Sequence, residues 1–145
     1  MSRLDAIWEA RTLDELYDLI PDPLGCSGAC EVSCGAIGFS VEEGRRLEAA
    51  GAHIPNVNDL RAAQTGPSQW CSALVEGRCG VYEVRPSVCR IWGVSEPLPC
   101  PFVGCHTLYP LSTEETEAVS KRALEIGGLP GLVERRVYLT GWTPR

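Results

Sequence analysis

Long apolar stretches are missing from this chain. Nothing approaches the run of about 18 residues that signals a transmembrane helix, so no membrane partner is expected. Lysine is almost missing as well: Lys121 is the only one among 13 basic residues, and the arginines form no basic stripe. With a formal net charge of −6, the chain lacks the electrostatic footprint of a nucleic-acid binder, and no nucleic acid is expected as a partner. Neither GxSxG, HExxH nor a phosphate-cradling glycine loop occurs, so no enzyme class is singled out. Histidine is scarce, with His53 and His106 alone. The segment Met1 to Ala10 has no basic start followed by an apolar stretch, which leads us to expect a cytoplasmic, reducing location.

Cysteine is what the chain has in excess. Eight occur in two bursts: Cys26, Cys30 and Cys34, then Cys71, Cys79, Cys89, Cys100 and Cys105. In a reducing compartment thiols serve better as metal ligands than as disulfides. Structural zinc takes four ligands in a tetrahedron, and iron–sulfur clusters also take four cysteines. Eight thiols therefore suffice for two such centres, or for one with bystanders. The spacing is CxxxCxxxC, then gaps of seven, nine, ten and four residues, with no CxxC knuckle of the ordinary zinc finger. Two other readings stand beside the metal one. An even number of cysteines permits a disulfide-stapled scaffold. Single thiols, Cys100 or Cys105 for example, can also be plain core residues.

The rest of the chain supplies a frame. The 15 Gly and 11 Pro suggest a loop-rich fold, and the length suits one domain, residues 1–145. Leu13, Leu16, Tyr17 and Ile20 fall at helical spacing, within a helical segment 2–20 that Thr12 and Glu15 divide in two. Ser40 with Glu43, and Ser112 with Glu115, are capping-box pairs that predict helices over 40–51 and 112–126. A further short helix is expected over 58–64. Glu76-Gly77 predicts the turn of a small hairpin, with Leu74, Val75, Val81, Tyr82 and Val84 as strand residues. Pro86 opens a short helix that Gly93 closes. An extended segment is expected at 136–139. The acids Glu42, Glu43, Glu114 and Glu115 lie in first helical turns, where they favour the dipole.

The run "CSALVEGRCGVYEVRPSVCRIW", Cys71 to Trp92, resembles the signature of the YkgJ-type cysteine-cluster family, C-x-x-L…G-x-C-x-[IV]-Y-x-x-R-P-x-x-C-R. Cys71, Leu74, Gly77, Cys79, Val81, Tyr82, Arg85, Pro86, Cys89 and Arg90 fit it. Upstream, that family carries a group ending in C-x-x-C-C, then an isoleucine and a Ser/Thr-Glu helix. Here Cys26, Cys30, Cys34, Ile37 and Ser40 to Glu43 follow the same order, with Ser33 where the paired cysteine would stand. The resemblance implies a zinc- or iron-chelating domain over about 26–105, with Cys105 available to compensate for Ser33.

The expectation is thus a mostly α, small, loop-rich, metal-centred single domain with a short β-hairpin. Its core is 26–105, and its flanking helices are 2–20 and 112–126. All eight cysteines are candidate ligands, with Cys30, Cys34, Cys79 and Cys89 chosen first. Arg85 and Arg90 are expected beside the thiolates, where a guanidinium offsets clustered negative charge. His106 is a further candidate imidazole, and Tyr82 an ordinary core aromatic. The cofactor expected is an iron–sulfur cluster, [4Fe-4S] being one form, with zinc second. A structural or sensory module docking on a protein partner, or a redox or metal-dependent enzyme subunit, are the roles weighed; whether the chain is catalytic stays open.

Overall fold

The computed structural model describes residues 1–26, 38–52, 69–71, 73–102, 104–129 and 142–144. The expected helix 58–64 and extended segment 136–139 lie outside them. The described chain is mostly helical, with α1 (Arg3–Glu9), α2 (Leu13–Asp18), α3 (Val41–Ala49), α4 (Ser87–Ile91) and α5 (Thr113–Gly127).

Local chemistry starts these helices. Ser2, Ser40 and Ser112 each close a capping box with the acid three residues on, Asp5, Glu43 and Glu115. Thr12 caps α2 through the Glu15 amide, so the 2–20 segment is two helices, as the sequence suggested. Pro86 precedes α4 as its N-cap, and Gly93, at φ +83°, follows that helix. The other four helices all pack on α5.

Two apolar clusters result. The larger joins Ile7, Leu13, Leu16, Ile20, Ile91, Val94, Leu111 and Val119, so the apolar face read from α2 is buried. The smaller joins Phe39, Leu47, Ala73 and Val81, with Cys79 and Val84 packed against it.

Three antiparallel strand pairs complete the described fold. β1 (Gln69–Cys71) pairs with β6 (Trp142–Pro144), β2 (Leu74–Val75) with β3 (Arg78–Cys79), and β4 (Val94–Ser95) with β5 (Leu98–Pro99). The β2–β3 hairpin turns at Glu76 (φ +50°) and Gly77 (φ +77°), the two positive angles that a type I′ turn needs. It is shorter than expected. Val81 lies beyond β3, and Tyr82–Val84 form a 3-10 turn, because Arg85 reaches back to the Tyr82 carbonyl at 2.9 Å. Tyr82 is about half exposed (48%) rather than a core aromatic.

Candidate metal centre

Cys26, Cys100 and Cys105 come from two distant parts of the chain and meet through backbone pairing. Leu24 and His106 exchange amide hydrogen bonds at 2.7 and 2.9 Å as an antiparallel bridge. Next to it, Gly25 (φ +68°) lies so close to the Gly104 carbonyl that a Cβ there would overlap the oxygen at 2.1 Å. Only glycine permits both the angle and the approach. On the other side Gly93 accepts the β4–β5 turn, its amide donating to Leu98 O at 2.7 Å. A Cβ on Gly93 would stand 3.5 Å from Cys100 Cβ. These contacts set the ends of the Cys100–Cys105 loop.

The thiol of Cys105 lies within electrostatic reach of those of Cys100 and Cys26. Burial first, then Cys100 and Cys26, push it up to about 11, so without a cation it holds its proton at neutral pH. Cys26 is exposed, while Cys100 and Cys105 are half-buried, and none of the three is in a disulfide. Among the described residues no group of three or more His, Cys, Asp or Glu side chains is by itself arranged to hold a metal ion. Cys26, Cys100 and Cys105 do not form a complete donor set by themselves. The donor chemistry still fits a thiophilic ion, since thiols suit zinc and iron, and Cys26 stands beside segment 27–37, which carries Cys30 and Cys34.

The remaining candidates are placed differently. Cys30, Cys34 and His53 lie outside the described residues. Cys71 ends β1, opposite Trp142. Cys79 ends β3 and packs on the smaller apolar cluster, and Cys89 sits half-buried in α4. His106 is exposed, with Nδ1 3.4 Å from the Gly104 carbonyl.

The arginines brace backbone. Arg85 lies 3.6 Å over the Tyr82 ring. Arg90 donates to the Arg85 carbonyl at 2.7 Å and the Glu83 carbonyl at 2.9 Å, and lies 4.1 Å over the Tyr17 ring. These contacts tie the 3-10 turn to α4 and α2.

Glu43 does more than the sequence indicated. Read as a first-turn acid and cap partner, it is 1% exposed. One oxygen accepts from Ser40 N at 3.0 Å. The other accepts from the Tyr17 hydroxyl at 2.6 Å and from the Ser87 amide at the start of α4. Burial, then the charge and hydrogen bond of Glu43, push the Tyr17 phenol far up, which keeps it a donor. The capping pattern revealed the Ser40 contact; no local signal joins residues 17, 43 and 87.

A cleft of about 260 Å³ opens beside the thiols, lined by Cys100, Cys105, Gly93, Ser95, Glu96 and His106 among others. No described helix is long and apolar enough to cross a membrane. No curated protein and no solved structure matches the chain. Residues 25–122 match the family model CxxCxxCC, described as "Putative zinc- or iron-chelating domain". That span holds all eight cysteines and more than half of the chain, and the chain belongs to the CxxCxxCC family.

Proposed function

We propose that the chain binds a single thiolate-ligated metal ion, zinc in first place, in a structural or sensory role. Cys26, Cys100 and Cys105 are three of its ligands, and segment 27–37 supplies the fourth from Cys30 or Cys34. The observations that support this are the family match and a Cys105 thiol within electrostatic reach of both Cys100 and Cys26. A zinc–sulfur bond of about 2.3 Å in a tetrahedron puts neighbouring sulfurs about 3.8 Å apart, so ligands of one ion crowd together. A cubane cluster takes its thiolates on different irons, which holds them further apart. The iron–sulfur cluster expected from the sequence leaned partly on flanking arginines, and Arg85 and Arg90 contact carbonyls and tyrosine rings. The redox reading is second for that reason. Leu108 and Tyr109, exposed between cleft-lining Thr107 and Pro110, are consistent with a protein partner on this side.

Thiols must lose protons to ligate, so binding releases protons and chelation weakens the fold. The test is elemental analysis and an absorption spectrum of the full chain purified without air. One zinc per chain and no visible band are expected, with metal lost in Cys105→Ser. Stoichiometric iron with a band near about 400 nm transfers the case to a cluster. Metal unchanged in Cys105→Ser removes that thiol from the ligand set.

A further inference from the structure

We propose that Arg3 is a positioning residue of the thiol cleft: from the start of α1 it pins the wall that carries Cys105, and so sets how Cys105 meets a bound ion. The inference rests on the metal-binding function proposed above and deepens it.

The wall is segment 105–111, which leaves Cys105 and returns to β4. Backbone pairing ties its two ends. His106 is bridged to Leu24, while the Leu111 amide donates to Val94 O at 3.0 Å and the Leu111 carbonyl accepts from Glu96 N at 2.8 Å. The span between these ties is not held by burial, since Leu108 and Tyr109 are 68% and 79% exposed. The Thr107 hydroxyl reaches Gly93 O at a long 3.5 Å. Arg3 supplies the firm contacts. Its Nη1 donates to Tyr109 O at 2.9 Å, and its Nη2 donates to Pro110 O and to Glu115 Oε2, both at 2.7 Å. Thr107 and Pro110, on either side of the exposed pair, line the cleft together with Cys100 and Cys105.

Two features show that Arg3 is placed for this wall rather than for its own helix. Arg3 is the first residue of α1, and a first helical turn favours acids, so a cation there works against the dipole. Its Nε is also buried with no hydrogen-bond partner among the described residues, a cost that the contacts of the other two nitrogens offset. A guanidinium is a rigid fork that spans two successive carbonyls, whereas an ammonium is a single point of charge. Without Arg3, the exposed span pulls on the bridge at His106, and Cys105 beside that bridge loses its fixed direction.

The test compares the full chain with Arg3→Ala and Glu115→Gln. The glutamine variant removes the charge of the ion pair and leaves both carbonyl contacts, so it controls for stability lost where α1 meets α5. Amide hydrogen exchange of the metal-stripped proteins is read by mass spectrometry, and zinc affinity by competition with a chelating dye. In Arg3→Ala, exchange over 105–111 is expected to quicken about tenfold with α3 unchanged, and zinc to bind about tenfold more weakly. Glu115→Gln is expected to stay near the parent in both readouts, and Arg3→Lys to fall between. Circular dichroism confirms intact helices, and Arg3→Lys takes the place of the alanine variant if that one does not fold. Unchanged exchange over 105–111 in Arg3→Ala overturns the proposal. So does a zinc affinity that is unchanged, or that falls equally in Glu115→Gln, which would mark a merely structural effect. A parent chain that binds no metal is a separate failure. It overturns the metal-binding function and the positioning role with it, while the exchange result still decides whether Arg3 holds the wall.

Discussion

The helices around α5 and the thiol loops beside them are held by different means. Each long helix begins at a capping box, and the larger cluster buries residues such as Ile7, Leu16, Leu111 and Val119 almost completely. The thiol region has strands of two residues, the isolated bridges Leu24–His106 and Gly93–Pro99, and backbone packed on backbone at Gly25 and Gly104. Buried apolar area is the main source of stability, and the helical frame has most of it. The loops have thiols in its place. A frame of this kind can stand by itself, whereas under the proposed function the loops would gain their order from the bound metal. The comparison can be broken by changes that strike one region and spare the other.

Glu43→Ala strikes the frame hardest. It strips buried partners from the Ser40 and Ser87 amides and from the Tyr17 hydroxyl. Unsatisfied buried donors cost about 1–3 kcal/mol each, and a loss of about 4 kcal/mol in all is expected by urea unfolding. The loss should be equal with and without metal. A loss confined to metal-loaded protein would place Glu43 with the thiol region instead.

Gly127→Ala comes next. Its Cβ would lie 2.0 Å from Ser40 Oγ and 2.5 Å from Ser40 Cβ, in the seam where α5 ends on the α3 cap. Val41 N donates to Gly128 O there at 3.1 Å, so the two ends cannot easily part. Overpacking and a damaged cap together cost about 3 kcal/mol. A melting temperature unchanged by the substitution would show that the seam is loose.

Gly25→Ala tests the other side. Overlap with the Gly104 carbonyl and an unfavourable φ push Cys26 away from Cys105. Metal affinity is expected to fall at least about tenfold, as for lost supporting contacts around a ligand. The far-UV helical signal should hold, because no frame residue is touched. Helix and metal lost together would mean the frame needs the loops.

The two regions also differ in how far their order can be read from residues. The Ser40–Glu43 and Ser112–Glu115 pairs announce α3 and α5 because a cap is a contact over three residues. Glu76-Gly77 announces its turn for the same reason. The β4–β5 hairpin lay hidden in what reads as a proline-rich stretch, since two residue pairs leave no alternating pattern. The β1–β6 pairing joins residues some seventy positions apart, which no local signal reports. Metal chemistry was legible from the thiols and their family signature. How the chain places its thiols was not: Cys79 packs beside apolar residues, while Cys26 and Cys105 are drawn together by the Leu24–His106 bridge and the Gly25–Gly104 approach, which spacing does not encode.

The smallest effect expected separates the regions by pH. Arg3 holds Glu115 Oε2 at 2.7 Å, with both side chains largely sheltered, and joins the start of α1 to the start of α5. That hydrogen bond, and the Ser112 amide, keep the Glu115 carboxyl below its ordinary 4.5 despite burial. A folded pKa below the unfolded one means the unfolded chain binds more protons as acid is added. The contribution is therefore complete above about 4.5 and is lost as pH falls through the lower folded value. Glu115→Gln is expected to cost about 1 kcal/mol at pH 7, and the gap is expected to shrink as pH falls below 4.5 through the lowered folded value. A gap that persists undiminished in acid would trace the loss to the cap geometry rather than to the charge on Glu115.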